Sequence, residues 1–172
     1  VQGLTATDFT VREDNVGREV LKAEPASELL TVALLIDDSQ AADRGIQQIR
    51  DGVKKFITTL SGKAEIALIS FGERPTILQD YTQDQKLLEA AANRIFPRSG
   101  AGSYLLDALI DTSKGLQKRE AKRPVIAVLM IEDVEFSNRY YKQVLDELDR
   151  SRAALHVVAI GQPDAGSTDE IR

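Results

Sequence analysis

Two hydrophobic patterns divide this chain. Up to about residue 27 the apolar positions alternate singly with polar ones. Asp8-Phe9-Thr10-Val11-Arg12-Glu13 and Arg18-Glu19-Val20-Leu21-Lys22 read as half-exposed strands, with a turn signal at Asp14-Asn15 and Gly17 close behind. This predicts a small N-terminal β-hairpin, an appendage over residues 1–27, set off by Pro25. From residue 28 to 172 the pattern changes to continuous apolar runs alternating with amphipathic stretches. Leu30 to Ile36, Ala64 to Phe71, Val125 to Ile131 and Leu155 to Ile160 are the runs, as expected of parallel strands covered on both faces. Between them, Ala42 to Leu60 places Ile46, Ile49, Val53, Phe56, Ile57 and Leu60 on one helical stripe.

The remaining elements follow from punctuation. Thr76-Ile77-Leu78 follows Pro75 and a tight turn, which predicts a short antiparallel edge strand. Thr82-Gln83-Asp84-Gln85 has capping-box spacing and opens a helix to about Ile95. Tyr104 to Gln117 is helical, with Leu105, Leu109, Thr112 and Leu116 on one face. Ser137-Asn138 is expected to cap a last helix carrying Tyr141, Val144, Leu145 and Leu148, with Tyr141 facing the core. The sum is a doubly wound α/β fold: a mainly parallel central sheet, one antiparallel edge strand, and helices on both faces. In such a sheet a ligand sits beyond the carboxyl ends of the strands. The loops after Ile36, before Tyr104 and after Ile131 should therefore meet at one rim.

Composition removes several functions. With no cysteine, thiolate metal sites, disulfides and thiol catalysis are excluded. A net charge of −5 argues against phosphate-backbone binding, so no nucleic acid partner is expected. No apolar run reaches the roughly 20 residues of a membrane span. The only histidine, His156, lies within the last apolar strand and reads as packed structure. Both ends of the sequence look like cuts inside a longer protein, with a C-terminal helix expected to be truncated.

The three rim loops carry oxygen ligands. The first offers Asp37, Asp38 and Ser39, the second Ser103 beside Gly100 and Gly102, the third Glu132, Asp133 and Glu135. Oxygen-only donors from separate loops suit Mg2+, Mn2+ or Ca2+. The same residues also serve plain structure, with Asp37 and Ser39 as helix caps and Glu132 and Asp133 as solvated acids. Spacing alone leaves both open. A phosphorylatable receiver fits the Asp37-Asp38 pair, but the last strand ends Gly161-Gln162-Pro163 without the lysine it needs. Nucleotide binding through Gly100-Ala101-Gly102 lacks a third glycine and a preceding strand.

Asp37-x-Ser39-x-Ala41 resembles the Asp-x-Ser-x-Ser metal motif of von Willebrand factor A-type domains, and Gly102-Ser103-Tyr104-Leu105-Leu106-Asp107-Ala108-Leu109 is similar to their Gly-Thr-x-Leu-x-Asp-Ala-Leu segment. The resemblance runs over about residues 28–161. Gly3 to Asp14, Ile131 to Asn138 and Ala154 to Gly161 look like the von Willebrand A-related proteins abundant in acidobacteria. It implies a Rossmann-like fold and a non-enzymatic, adhesion-like module. Its partner protein would supply an acidic side chain to a Mg2+ or Mn2+ held by Asp37, Ser39, Ser103 and a third-loop carboxylate, Glu132 or Asp133. It also implies an exported, extracytoplasmic protein. The chain departs from the motif at Ala41, which has no oxygen, and after Ile131, where the family's Asp-Gly is absent. The implied site is therefore degenerate and its metal weakly held. A metal-dependent hydrolase or phosphotransfer domain, and a metal-free structural spacer, are the alternatives.

Overall fold

The computed structural model describes residues 3–131 and 134–161. After a single 3-10 turn, Ala6–Asp8, strands β1 (Val11–Glu13) and β2 (Val16–Arg18) pair antiparallel. Asp14 and Asn15 both have positive φ, 47° and 65°, the conformation of a two-residue hairpin turn. That turn fixes the register, so the second strand begins at once, at Val16. It does not run over Arg18 to Lys22 as the alternation predicts. Both strands are exposed along their length.

The main sheet has the order β5-β4-β3-β6-β7. Its strands are β3 (Leu30–Ile36), β4 (Ala64–Ser70), β5 (Thr76–Thr82), β6 (Pro124–Ile131) and β7 (Ala154–Ile160). β3 pairs parallel with β4 on one side and β6 on the other, β6 pairs parallel with β7, and β5 is antiparallel at the edge. β5 is longer than its turn signals imply, and its pairing with β4 contains register shifts. A bulged edge strand of this kind tolerates Pro75 at its entry.

Alternation along β3 divides the core. Val32, Leu34 and Ile36 pack with α1 (Ile46–Leu60) and α2 (Gln85–Ala92), through Ile49, Val53, Ile57, Leu88 and Ala91. Ala33 and Leu35 pack on the other face with α3 (Leu105–Lys118) and α4 (Tyr141–Ser151), through Leu105, Leu109, Leu116 and Val144. Four boundaries differ from the sequence reading. Gln40–Gly45 is a 3-10 turn leading into α1. α2 is capped by the Asp84 carboxylate, which accepts from the Lys86 and Leu87 amides, and ends at Ala92. α4 starts at Tyr141, with the Gln143 side chain accepting from the Tyr140 amide. Ser137, expected as its cap, accepts instead from the Asp107 amide in the first turn of α3. Tyr141 then sits at the first residue of α4, one turn beyond the Val144–Leu148 seam, and is 61% exposed. His156 is exposed on the edge strand β7 and is not packed.

At the amino ends of the strands, Glu65 receives the Arg119 guanidinium through two bonds of 3.3 and 3.1 Å and the Thr31 hydroxyl at 3.0 Å. Arg119 also lies 4.5 Å from the centre of the Tyr81 ring. Burial pushes the Tyr81 phenol up to about 12, against a partial lowering by Arg119. A raised folded-state pKa means that the folded chain holds its proton where the unfolded chain has lost it. The resulting stabilisation is full below pH about 10, the unfolded tyrosine value, and is lost as pH rises through about 12. In an alkaline absorbance titration, one of the four tyrosines should ionise late, and Tyr81→Phe should remove that late step.

Candidate functional site

The site lies at the carboxyl end of β3, where the strand order reverses between β3 and β6. The chain leaves the apolar strand as Asp37, which is fully buried. One carboxylate oxygen accepts the Ser39 amide at 2.8 Å and the other accepts the Ile131 amide, at the end of β6, at 3.1 Å. Among the described residues Asp37 forms no ion pair. A buried carboxylate held by two neutral amides leaves its negative charge without a cation.

Asp38 is arranged differently. Its carboxylate accepts the Gly72 amide at 2.6 Å and the Arg98 guanidinium at 2.8 Å. Its carbonyl accepts the Arg98 amide at 2.9 Å. The same guanidinium donates to the Ser70 hydroxyl at 3.2 Å. Arg98 thus clamps the first loop, the end of β4 and the second loop together. Gly72 is required at this point, because a Cβ there would lie 2.5 Å from the backbone of Asp38 and Ser39.

The other two loops are joined to the first by hydrogen bonds. The Gln40 amide donates to the Ala101 carbonyl, and the Gln40 side chain accepts the Gly100 amide, both at 3.0 Å. The Phe136 amide donates to the Ser103 carbonyl at 2.7 Å, and the Tyr104 amide to the Phe71 carbonyl at 3.1 Å. Glu135 accepts the Leu105 amide at 3.1 Å and the Ser137 amide at 2.7 Å, so it caps α3 from the third loop. Asp107 takes the Arg139 guanidinium at 2.7 Å, and that contact raises the Arg139 pKa.

Asp37, Ser39 and Ser103 are therefore brought to one rim. Glu132 and Asp133 lie outside the described residues; their chain neighbour Ile131 is bonded to Asp37. Three buried side-chain oxygens among the described residues have no hydrogen-bond partner, and two of them are the hydroxyls of Ser39 and Ser103. Ser39 stands at the start of the 3-10 turn, yet its hydroxyl caps nothing. The helix-cap alternative thus fails for Ser39. Asp107 is used by Arg139 and Asp38 by Arg98, and neither carboxylate is hydrogen-bonded to the unpartnered hydroxyls. Arg98, Gln40 and Glu135 were not singled out from sequence as organisers of the rim. Their partners are 60, 60 and 30 residues away in the chain, which no local pattern shows. No group of three or more acidic, histidine or cysteine side chains suited to a metal occurs among the described residues. A hydroxyl-rich site is not of that kind.

A family model for the von Willebrand factor type A domain matches residues 32–133. The fold is similar to that of a von Willebrand factor type A protein from Catenulispora acidiphila, with a TM-score of 0.63 at 17% identity over 79% of this chain and 34% of that one. It is similar to an aerotolerance-related membrane protein from Bacteroides fragilis, with a TM-score of 0.65 at 16% identity over 81% of this chain and 75% of that one. It is also similar to the vWF domain of the type V pili tip protein Mfa5 from Porphyromonas gingivalis, with a TM-score of 0.53 at 16% identity over 64% of this chain and 39% of that one. The chain thus spans about a third of the length of the Catenulispora protein. A comparison with curated proteins finds no match.

The Arg98 clamp can be tested by stability. Arg98→Ala leaves the nearly buried Asp38 carboxylate without its cation and should cost about 2–4 kcal/mol in chemical denaturation. Gly72→Ala, whose new Cβ meets backbone, should cost about 1–3 kcal/mol.

Proposed function

The chain belongs to the von Willebrand factor type A domain family, and on that premise we propose that it is a non-enzymatic protein-interaction module that meets its partner at the rim around Asp37. In this reading a Mg2+ or Mn2+ is held at the rim by the Ser39 and Ser103 hydroxyls and the Asp37 carboxylate. Glu132 or Asp133 contributes the third-loop carboxylate, and an acidic side chain of the partner takes the open position of the ion. The observation that carries the reading is that, among the described residues, the Ser39 and Ser103 hydroxyls are buried without partners on two loops bonded to each other, at the strand end where the Asp37 carboxylate is buried without a cation. A hard cation satisfies all three groups at once.

The residues present fit such an ion, with one oxygen fewer than the motif supplies. Ala41 is buried at the third motif position and offers only a methyl group. Mg2+ keeps several waters in most protein sites, so a water in that place preserves the coordination number at some cost in affinity. The cation lends the rim a positive charge; the protein's own contribution is to fix the two hydroxyls and Asp37 through the hydrogen bonds that join the loops. Adhesive use fits a family whose solved relatives include a domain of a pili tip protein. An extracytoplasmic location belongs to the same proposal. Among the described residues no helix is long and apolar enough to cross a membrane.

The hydrolase alternative finds no histidine base at the rim, which leaves it only the rim's own carboxylates for that role. His156 pairs in register with Ala127, four residues before the end of β7 at Ile160. At about 3.3 Å per residue, that is on the order of 13 Å from the rim.

Thermal unfolding with and without metal tests the proposal. Saturating Mn2+ should raise the melting temperature, by several degrees when the ion is at about 100 times its dissociation constant. Asp37→Ala should abolish the rise. Ala41→Ser, which restores a hydroxyl to the rim, should tighten Mn2+ binding roughly tenfold in calorimetric titration. A wild-type protein that gives neither heat nor thermal shift would leave a metal-free interaction domain.

A further inference from the structure

Beside the rim lies an open groove of about 620 Å3, whose walls include Ala41, Arg44, Gly102, Tyr104 and Phe136. Its lining combines apolar and charged residues. Phe136 lies against Gly102 so closely that a Cβ on Gly102 would fall within van der Waals overlap of the ring, and the ring centre is 6.4 Å from that of Tyr104. Phe136 is nevertheless 56% exposed. A large aromatic ring seated on glycine, with its outer face open, is the kind of surface on which a binding partner anchors an apolar side chain.

The same groove is lined by Arg44, near the end of the 3-10 turn Gln40–Gly45. Among the described residues every other arginine near the rim is committed: Arg98 to Asp38 and Arg139 to Asp107. Arg44 has no ion pair and no hydrogen bond there. A planar guanidinium with its donors open takes a carboxylate through two parallel bonds. Asp43 beside it keeps the wall from being uniformly cationic. A lone anion is therefore weakly retained, and the acid must arrive on a chain that also makes the apolar contact.

We propose that this groove docks an extended peptide segment of a partner protein in which an acidic residue adjoins a bulky apolar one, with Arg44 taking the carboxylate and Phe136 the apolar side chain. The inference rests on the reading of this rim as an interaction surface and adds to it a specificity site independent of the ion. The segment is a peptide because both anchors line one open groove, so side chains of one extended chain can reach both.

Fluorescence anisotropy with labelled octapeptides tests this, in EDTA and in Mn2+. The probes carry Glu-Phe-Glu, Gln-Phe-Gln or Glu-Ala-Glu at the centre of an otherwise Gly-Ser sequence. The wild-type protein should bind the first roughly tenfold more tightly than either of the others. Arg44→Gln should erase the preference for the acid, and Phe136→Ala the preference for the aromatic. Arg44→Gln changes only an exposed side chain, so it keeps the test decisive if Phe136→Ala disturbs the third loop. Equal binding of the three peptides by wild type, or preferences that survive in both variants, would overturn the proposal. Loss of the Mn2+ thermal shift with the peptide preferences intact would strike the metal reading and leave this one standing.

Discussion

The rim depends on one buried carboxylate. Asp37 extends the central strand by one residue, and its own amide still donates to the Leu129 carbonyl of β6 at 2.9 Å. Its side chain then accepts the amide that begins its own loop and the amide that ends β6. The two strands flanking the switch point are thereby fastened at their last residues by a group that carries charge. An asparagine of the same shape has one acceptor oxygen and leaves one of those amides unsatisfied, a loss that in a buried place costs about 1–3 kcal/mol. The geometry therefore requires an acid. Having placed an acid where water does not reach, it also creates the demand for a positive group beside it.

The neighbouring acid shows what happens when that demand is met internally. Asp38 is almost as buried, but Arg98 neutralises it. Two consecutive carboxylates with opposite arrangements give the first loop a division of labour. Asp38 and Arg98 hold the second loop in place, and the charge of Asp37 remains available. Glu135 does for the third loop what Asp38 does for the first, since it spends its carboxylate on backbone amides at the start of α3. The rim is therefore built by the protein's own bonds, and a bound ion would enter a preformed place.

Much of this was legible in the sequence. Continuous apolar runs marked the parallel strands because both faces of each are covered, and the break from Ile36 to Asp37 marked the strand end where a ligand site belongs. The hydroxyls of Ser39 and Ser103 were legible by their place after a strand and before a helix. What the pattern could not show were the contacts between distant segments. Arg98 reads as one more polar residue in a Gly-Ser loop until the fold sets it against Asp38. Ser137 reads as a helix cap, and does cap a helix, but α3 and not the one that follows it. Tyr141 and His156 were misjudged for a related reason. Periodicity identifies the face of a helix or strand, but not how far its neighbours extend. Among the described residues β7 has a strand on one side only, so the covering that an apolar run implies is incomplete there.

Ala41 bears on how far function follows from the fold. The turn from Gln40 to Gly45 keeps its place without a hydroxyl at position 41, because the Gln40 amide and side chain bind the second loop directly. Ala41 is buried with the core cluster and borders the groove that Phe136 also lines. The proposed ion site is thereby left one oxygen short, with an apolar residue at the border of the groove. Were an ion and a partner to meet at this rim as proposed, binding strength would be shared between the ion's charge and buried apolar contact, and a methyl in place of a hydroxyl would move the balance toward contact. An aromatic ring held against glycine and an unpaired guanidinium, both lining that groove, are the features expected of a surface where side-chain contact would carry more of the recognition and a cation less.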